Sequence, residues 1–255
     1  MSKSKNEKIP EEVEKSSLGS PLNRKSFLRY VGVTAAGAAT LGLIGCDEDG
    51  DIVGPDPDPD PMGPMTVNLG SGDLGILNYA YALEQLEAAF YIEVMANPFG
   101  GITDEEMQIL GDLRDHEVAH RDWFNAAINS VAPDGIIPGL TPNFDSVDFS
   151  SRDSVLGTAQ VLEDTGVSAY NGAGPLISST DAGTQYLIQA GKIVSVEARH
   201  AAAIRSLINP GSADFAGDDV VDQNGLDVQN SPADVLAAAG GFIVETIDAS
   251  GLPTA

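Results

Sequence analysis

Two Glu-x-x-His pairs, Glu117/His120 and Glu197/His200, use two of the three histidines in this 255-residue chain. Each lies downstream of a glutamate that is followed seven residues later by a tyrosine, Glu84/Tyr91 and Glu163/Tyr170. The spacings repeat: 79 residues separate Glu84 from Glu163 and Tyr91 from Tyr170, and 80 separate Glu117 from Glu197 and His120 from His200. The chain is written twice, each half carrying Glu…Tyr on one helix and Glu-x-x-His on the next. Positions i and i+3 of a helix lie about 60° apart and one turn along, so each Glu-x-x-His pair can meet one ion. Four helices that each point a carboxylate inward, two of them adding a histidine, supply the ligands of a dinuclear metal site in a four-helix bundle. One such pair on an acidic helix would carry little weight, because solvated helix faces produce it often. Its ordered recurrence at matching offsets is not a surface pattern.

Charge supports the same reading. Glu84, Glu117, Glu163 and Glu197 bring four negative charges, and His120 and His200 ligate as neutral imidazoles, so two divalent cations make the filled site neutral. Without metal, four clustered carboxylates in a core would have to take up protons. Seven residues are almost two helical turns, so Tyr91 lies above Glu84 on one face and Tyr170 above Glu163. Antiparallel packing of the first and third helices would bring each tyrosine to the other helix's glutamate, where a buried phenol finds an acceptor. Glu87, one turn from Glu84, could replace it as ligand, and the repeat favours Glu84. His116 lies about 100° round the helix from Glu117 and reads as a surface residue or one supporting a ligand from behind. Its replacement by alanine should leave metal content nearly unchanged. Asp115 and Asp164 read as solvated, and Trp123 as packing.

The helical periods place these residues. Leu74, Leu77, Tyr81, Leu83, Leu86, Phe90 and Tyr91 mark a helix from about Asp73 to Ala96, ended by Asn97-Pro98-Phe99-Gly100-Gly101. Thr103 and Glu106 form a capping-box start for a second helix reaching about Val131. A third begins near Ser151 and fades at Gly172, Gly174 and Pro175, and a fourth runs from about Asp181 to Asn209-Pro210-Gly211. Short turns make hairpins of helices one and two and of helices three and four. The roughly 20-residue segment between them could extend to about 60 Å, enough to cross a bundle of ~30–40 Å. The fold class is all-α, a four-helix bundle over residues 67–210 with a long crossover between helices two and three. Residues 211–255 form an extension in which Ser231 and Pro232 start a short helix.

The amino terminus reads differently. Residues 1–45 hold seven Lys/Arg and four Asp/Glu, a net of +3, whereas the remainder holds six and 34, a net of −28. A basic stretch ending Asn23-Arg24-Lys25-Ser26-Phe27-Leu28-Arg29 precedes an uncharged run, Val31 to Gly45. That run is too short to span a bilayer comfortably and suits a signal peptide. The one cysteine, Cys46, follows directly. Leu43-Ile44-Gly45-Cys46 resembles the lipobox of bacterial lipoproteins, in which the cysteine is acylated and becomes the new amino terminus. Arg24-Lys25-Ser26-Phe27-Leu28 resembles a relaxed twin-arginine signal, and an ordinary Sec lipoprotein signal fits equally well. Residues 46–66, with alternating Asp and Pro from Pro55 to Pro61, form an extended acidic tether. The expected location is the bacterial cell envelope, periplasm or cell surface, with the membrane held through Cys46. So acidic a mature chain repels nucleic acid, which is excluded as a partner.

Leu83-Glu84-Gln85-Leu86-Glu87-Ala88-Ala89-Phe90-Tyr91, Asp115-His116-Glu117-Val118-Ala119-His120 and Val196-Glu197-Ala198-Arg199-His200 resemble a ferritin-like domain family of exported bacterial and plant desiccation-related proteins. Rubrerythrin and manganese catalase are its more distant relations. The resemblance spans roughly residues 70–208 and the Ser231-Pro232-Ala233-Asp234-Val235-Leu236 segment. It implies Glu84, Glu117, His120, Glu163, Glu197 and His200 as ligands of two divalent ions, iron or manganese, carboxylate and imidazole suiting both. The expected activity is oxidation–reduction on oxygen, peroxide or Fe(II), as a ferroxidase, peroxidase or catalase-like enzyme. Tyr91 and Tyr170 would orient carboxylates or supply an electron. The alternative is a non-enzymatic metal-binding or stress-protective envelope protein. A tethered chain suits a monomer or small oligomer rather than a mineral-storing cage.

Overall fold

The computed structural model describes residues 64–254. The signal segment 1–45, Cys46 and most of the 46–66 tether lie outside the described residues. Within them, four long helices appear where the hydrophobic period places them: α1 (Gly72–Ala96), α2 (Asp104–Val131), α3 (Arg152–Ala173) and α4 (Asp181–Ile208). Among the described residues no helix is long and apolar enough to cross a membrane.

The caps explain the boundaries. Thr103 accepts from the Glu106 amide while Glu106 reaches back to the Thr103 amide at 2.8 Å, a complete capping box. Ser151 and Thr180 cap α3 and α4 in the simpler way, and Ser231 caps α5 (Pro232–Ala239) with proline in its first turn. Each cap satisfies an amide that the helix itself cannot, an effect worth about 1 kcal/mol.

Direction follows from side-chain pairs. Tyr91 meets Glu163 and Tyr170 meets Glu84, so α1 and α3 run antiparallel. His120 faces Glu197 and His200 faces Glu117, so α2 and α4 do as well. With α1–α2 and α3–α4 packed as hairpins, α2 and α3 must then point the same way. The chain between them has to return along the full bundle. Residues 132–151 do so against α1. Asn78 of α1 donates to the Leu69 and Gly135 carbonyls and accepts from the Ile137 amide, and Gln85 accepts from the Leu140 amide at 2.9 Å. Further along, Phe144 meets Phe90 edge-on with centroids 5.8 Å apart, and Phe149 lies tilted against it at 5.9 Å. This cover leaves α1 buried on nearly every side, the arrangement expected of a helix that is apolar almost all round.

Two features go beyond the sequence reading. Thr66–Asn68 forms β1, which pairs in parallel with β2, Thr246–Asp248. The expected tether boundary at residue 66 therefore falls inside the fold, and the C-terminal extension is stitched to the segment entering α1. Leu69, just past β1, is fully buried. The extension also lies against α3, where the Asn230 amide donates to the Ser168 carbonyl and Asn171 donates to that of Val228. A Cβ on Gly172 would come within 1.8 Å of the Asn230 carbonyl oxygen, so only glycine lets that strand of chain approach.

Asp164 departs from its expected solvated role. Arg205 of α4 holds both its oxygens, at 3.0 and 2.6 Å, and also binds Asp219 and the Asp214 carbonyl. The guanidinium clamps the extension onto α3 and α4. Asp115 is exposed, as expected, and among the described residues pairs only with its neighbour Arg114.

Candidate metal centre

All six expected ligands converge between the four helices. Glu84 comes from α1, Glu117 and His120 from α2, Glu163 from α3, and Glu197 and His200 from α4. The four carboxylates are entirely buried and His200 nearly so. They divide into two overlapping groups whose ligand atoms lie within 4.8 Å of one another: Glu84, Glu117, His120 and Glu197, then Glu117, Glu163, Glu197 and His200. Glu84, rather than Glu87, is the α1 member, as the repeat favours.

Individual oxygens assign the roles. Tyr170 donates to Glu84 Oε1, leaving Oε2 to face His120 Nδ1 at 3.4 Å. Tyr91 donates to Glu163 Oε1 at 2.5 Å, leaving Oε2 to face His200 Nδ1 at 3.5 Å. Glu117 turns Oε2 to His120 and Oε1 to His200, at 3.3 and 2.7 Å. Glu197 turns Oε1 to His120 and Oε2 to His200, at 2.9 and 3.7 Å. Glu84 and Glu163 therefore each serve one group through a single free oxygen, and Glu117 and Glu197 each offer one oxygen to both.

Whether these residues fit metal is decided by atoms with nothing else to bond. Glu84 Oε2, Glu117 Oε1, Glu163 Oε2, both Glu197 oxygens and His200 Nδ1 are buried without a properly directed hydrogen-bond partner. Buried polar groups are almost always satisfied, and an orphaned carboxylate oxygen costs more than a neutral one. Six such atoms, gathered in the two overlapping groups, fit bound metal. The donor set, carboxylate and imidazole, suits a divalent metal ion.

In the metal-free protein protons meet that burial only in part: burial opposes charge on Glu117, but its contacts with His120 and His200 outweigh it and hold the carboxyl down to about 2. Burial, and then the neighbouring Glu197 and Glu117 charges, raise Glu84 well above the usual carboxylate range, despite an opposing contact with His120. Burial likewise pushes Glu163 up to about 8. Burial opposes charge on His120 and His200, but the surrounding carboxylates outweigh it and lift both to about 12. Burial, and then the carboxylates they face, hold the Tyr91 and Tyr170 phenols well above their ordinary range, so both remain donors.

Three neighbours were only partly legible in sequence. Glu87, also buried, is a fifth carboxylate beside the cluster, raised by burial and by the charges of Glu197 and Glu117. It fits because residue 166 is glycine: a Cβ there would lie 2.9 Å from Glu87 Oε1. Its spacing, one turn after Glu84, was the available signal. His116 is exposed, yet its Nδ1 lies 2.9 Å from Nε2 of His200. Finally, an apolar cavity of about 30 Å³ has Tyr170, Leu83, Trp123 and Tyr79 in its wall. Trp123 packs there edge-on to Phe124, as its packing role requires, and the buried Tyr79 hydroxyl has no partner in the described residues.

Fold and site together define a four-helix bundle with a buried carboxylate–histidine cluster able to hold metal. A family model described as "Ferritin-like domain" matches residues 72–210, more than half of the chain and all four long helices. The chain belongs to the ferritin-like domain family. A search of curated proteins gave no match.

Proposed function

We propose that this protein binds two divalent metal ions, iron or manganese, and uses them to oxidise or reduce a small substrate: dioxygen, peroxide or Fe(II). The observation that carries the reading is the division of carboxylate oxygens, with Glu117 and Glu197 offering one oxygen to each group. Glu84 and His120 would complete one position, and Glu163 and His200 the other. Bound metal would supply one-electron redox chemistry and Lewis acidity. The chain's own residues prepare the place for it. Tyr170 and Tyr91 hold their protons and fix Glu84 and Glu163 so that one oxygen of each faces inward. The apolar cavity with Tyr170 in its wall leaves room for a molecule the size of water or dioxygen.

Purified protein loaded with Fe(II) or Mn(II) should consume peroxide, or oxidise added Fe(II) under air, with Tyr170→Phe slower than wild type. Retention of both metals with no turnover of peroxide or Fe(II) would instead leave the metal a structural or buffering role.

We place the protein in the bacterial envelope, anchored through Cys46, on the order of charges and the lone cysteine after a short apolar run. Cys46→Ser should abolish labelling by fatty acid and release the protein from the membrane fraction. Unchanged fractionation would remove the anchor from the proposal.

A further inference from the structure

We propose that His116 makes the two metal positions unequal, so that the position built on Glu163 and His200 fills first and the position built on Glu84 and His120 is the exchangeable one. The inference rests on the dinuclear reading above. His200 presents Nδ1 to Glu117, Glu163 and Glu197, and its other nitrogen, Nε2, to His116. The two rings are within 5° of coplanar with centroids 5.1 Å apart. With nitrogens at 2.9 Å, that geometry is an edge-to-edge bond in the plane of both rings. A neutral imidazole has one N–H and one lone pair. A metal at Nδ1 takes the lone pair, so the proton must be on Nε2, where His116 Nδ1 accepts it. His116 thereby selects the ligating tautomer of His200, fixes its ring, and makes the ligand more basic.

The repeat denies His120 the same support. Eighty residues on, the counterpart of His116 is Val196, whose side chain can neither accept nor donate. Among the described residues, His120 makes polar contacts through Nδ1 alone. It is also the more open of the pair, its side chain 14% exposed against 4% for His200. Four carboxylates arranged with near two-fold symmetry are thus flanked by one supported imidazole and one unsupported imidazole. His116 is a positioning residue: it reaches the metal only through His200.

The test is titration of metal-free protein with Mn(II) against a competing chelator, repeated with Co(II) to follow its visible spectrum. Wild type should bind two ions in resolved steps. His116→Leu should weaken the tighter step by about 10–100-fold, the usual cost of losing a bond behind a histidine ligand, and leave the weaker step in place. At saturating metal the variant should still hold two ions, so the earlier expectation for His116→Ala survives for content and not for affinity. Asparagine can place Oδ1 near the position of the histidine Nδ1, so His116→Asn should restore the tighter step and its Co(II) spectrum. His200→Ala should abolish the tighter step and His120→Ala the weaker. Two equal steps in wild type, or a tighter step that His116→Leu does not move, would overturn the inference while leaving the dinuclear site standing. Wild type that binds no metal would overturn the dinuclear reading itself.

Discussion

Stripping metal from this protein should lower its melting temperature by about 10–20 °C at pH 8 and by much less at pH 5.5. A ligand confined to the folded state stabilises by RT ln(1 + [L]/Kd), ~2.7 kcal/mol per site at a hundredfold excess over Kd. Two sites give roughly 5 kcal/mol, and each kcal/mol moves the midpoint of a chain this size by about 2–4 °C. The pH dependence follows from the cluster. Glu163 titrates near 8 in the fold against 4.5 as its ordinary value, so the metal-free fold loses stability as pH rises through that window. Glu84 is shifted the same way. His120 and His200, raised from 6.5 to about 12, contribute stability that is complete below 6.5 and is lost as pH climbs toward 12. All four groups therefore make the metal-free protein weaker at pH 8 than at pH 5.5. Metal binding has the opposite slope, because ligands must shed protons before they coordinate. Calorimetric scans with and without chelator across this range measure the gap. A chelator-insensitive midpoint at pH 8, with less than one metal per chain, would rule out the dinuclear site.

Glu197→Gln should empty both positions, whereas Glu84→Gln or Glu163→Gln should empty one. The difference arises because Glu197, like Glu117, turns one oxygen to each histidine, while Glu84 and Glu163 each give one oxygen to a tyrosine. Metal content after reloading should fall from about two to near zero in the first case and to about one in the others, as expected where two ions share carboxylates. Glutamine keeps the volume, so packing is preserved. If Glu197→Gln and Glu84→Gln lose metal equally, the proposed sharing of Glu197 between the two positions is wrong.

The sequence by itself determined the helices, their caps and the residues of the buried carboxylate–histidine cluster. Amphipathic period and capping are local, and duplication writes the same inward face twice, so Glu84, Glu117, His120, Glu163, Glu197 and His200 could be named without coordinates. Antiparallel pairing of Glu…Tyr with Glu…Tyr was also legible, because seven residues are nearly two turns whichever helix carries them. Tertiary structure alone decided what depends on distances between helices. Which oxygen of Glu117 or Glu197 faces which histidine is a matter of rotamer and helix rotation, and no spacing encodes it. Asp164 became the partner of Arg205 because α3 and α4 bring them together across 41 residues of chain. β1 and β2 are three residues each and come from opposite ends of the described chain, too short and too far apart for a local pattern to reveal. His116 shows the division most sharply. Its helical angle places it off the ligand face of its own helix, and only the approach of α4 turns that displacement into a bond with His200.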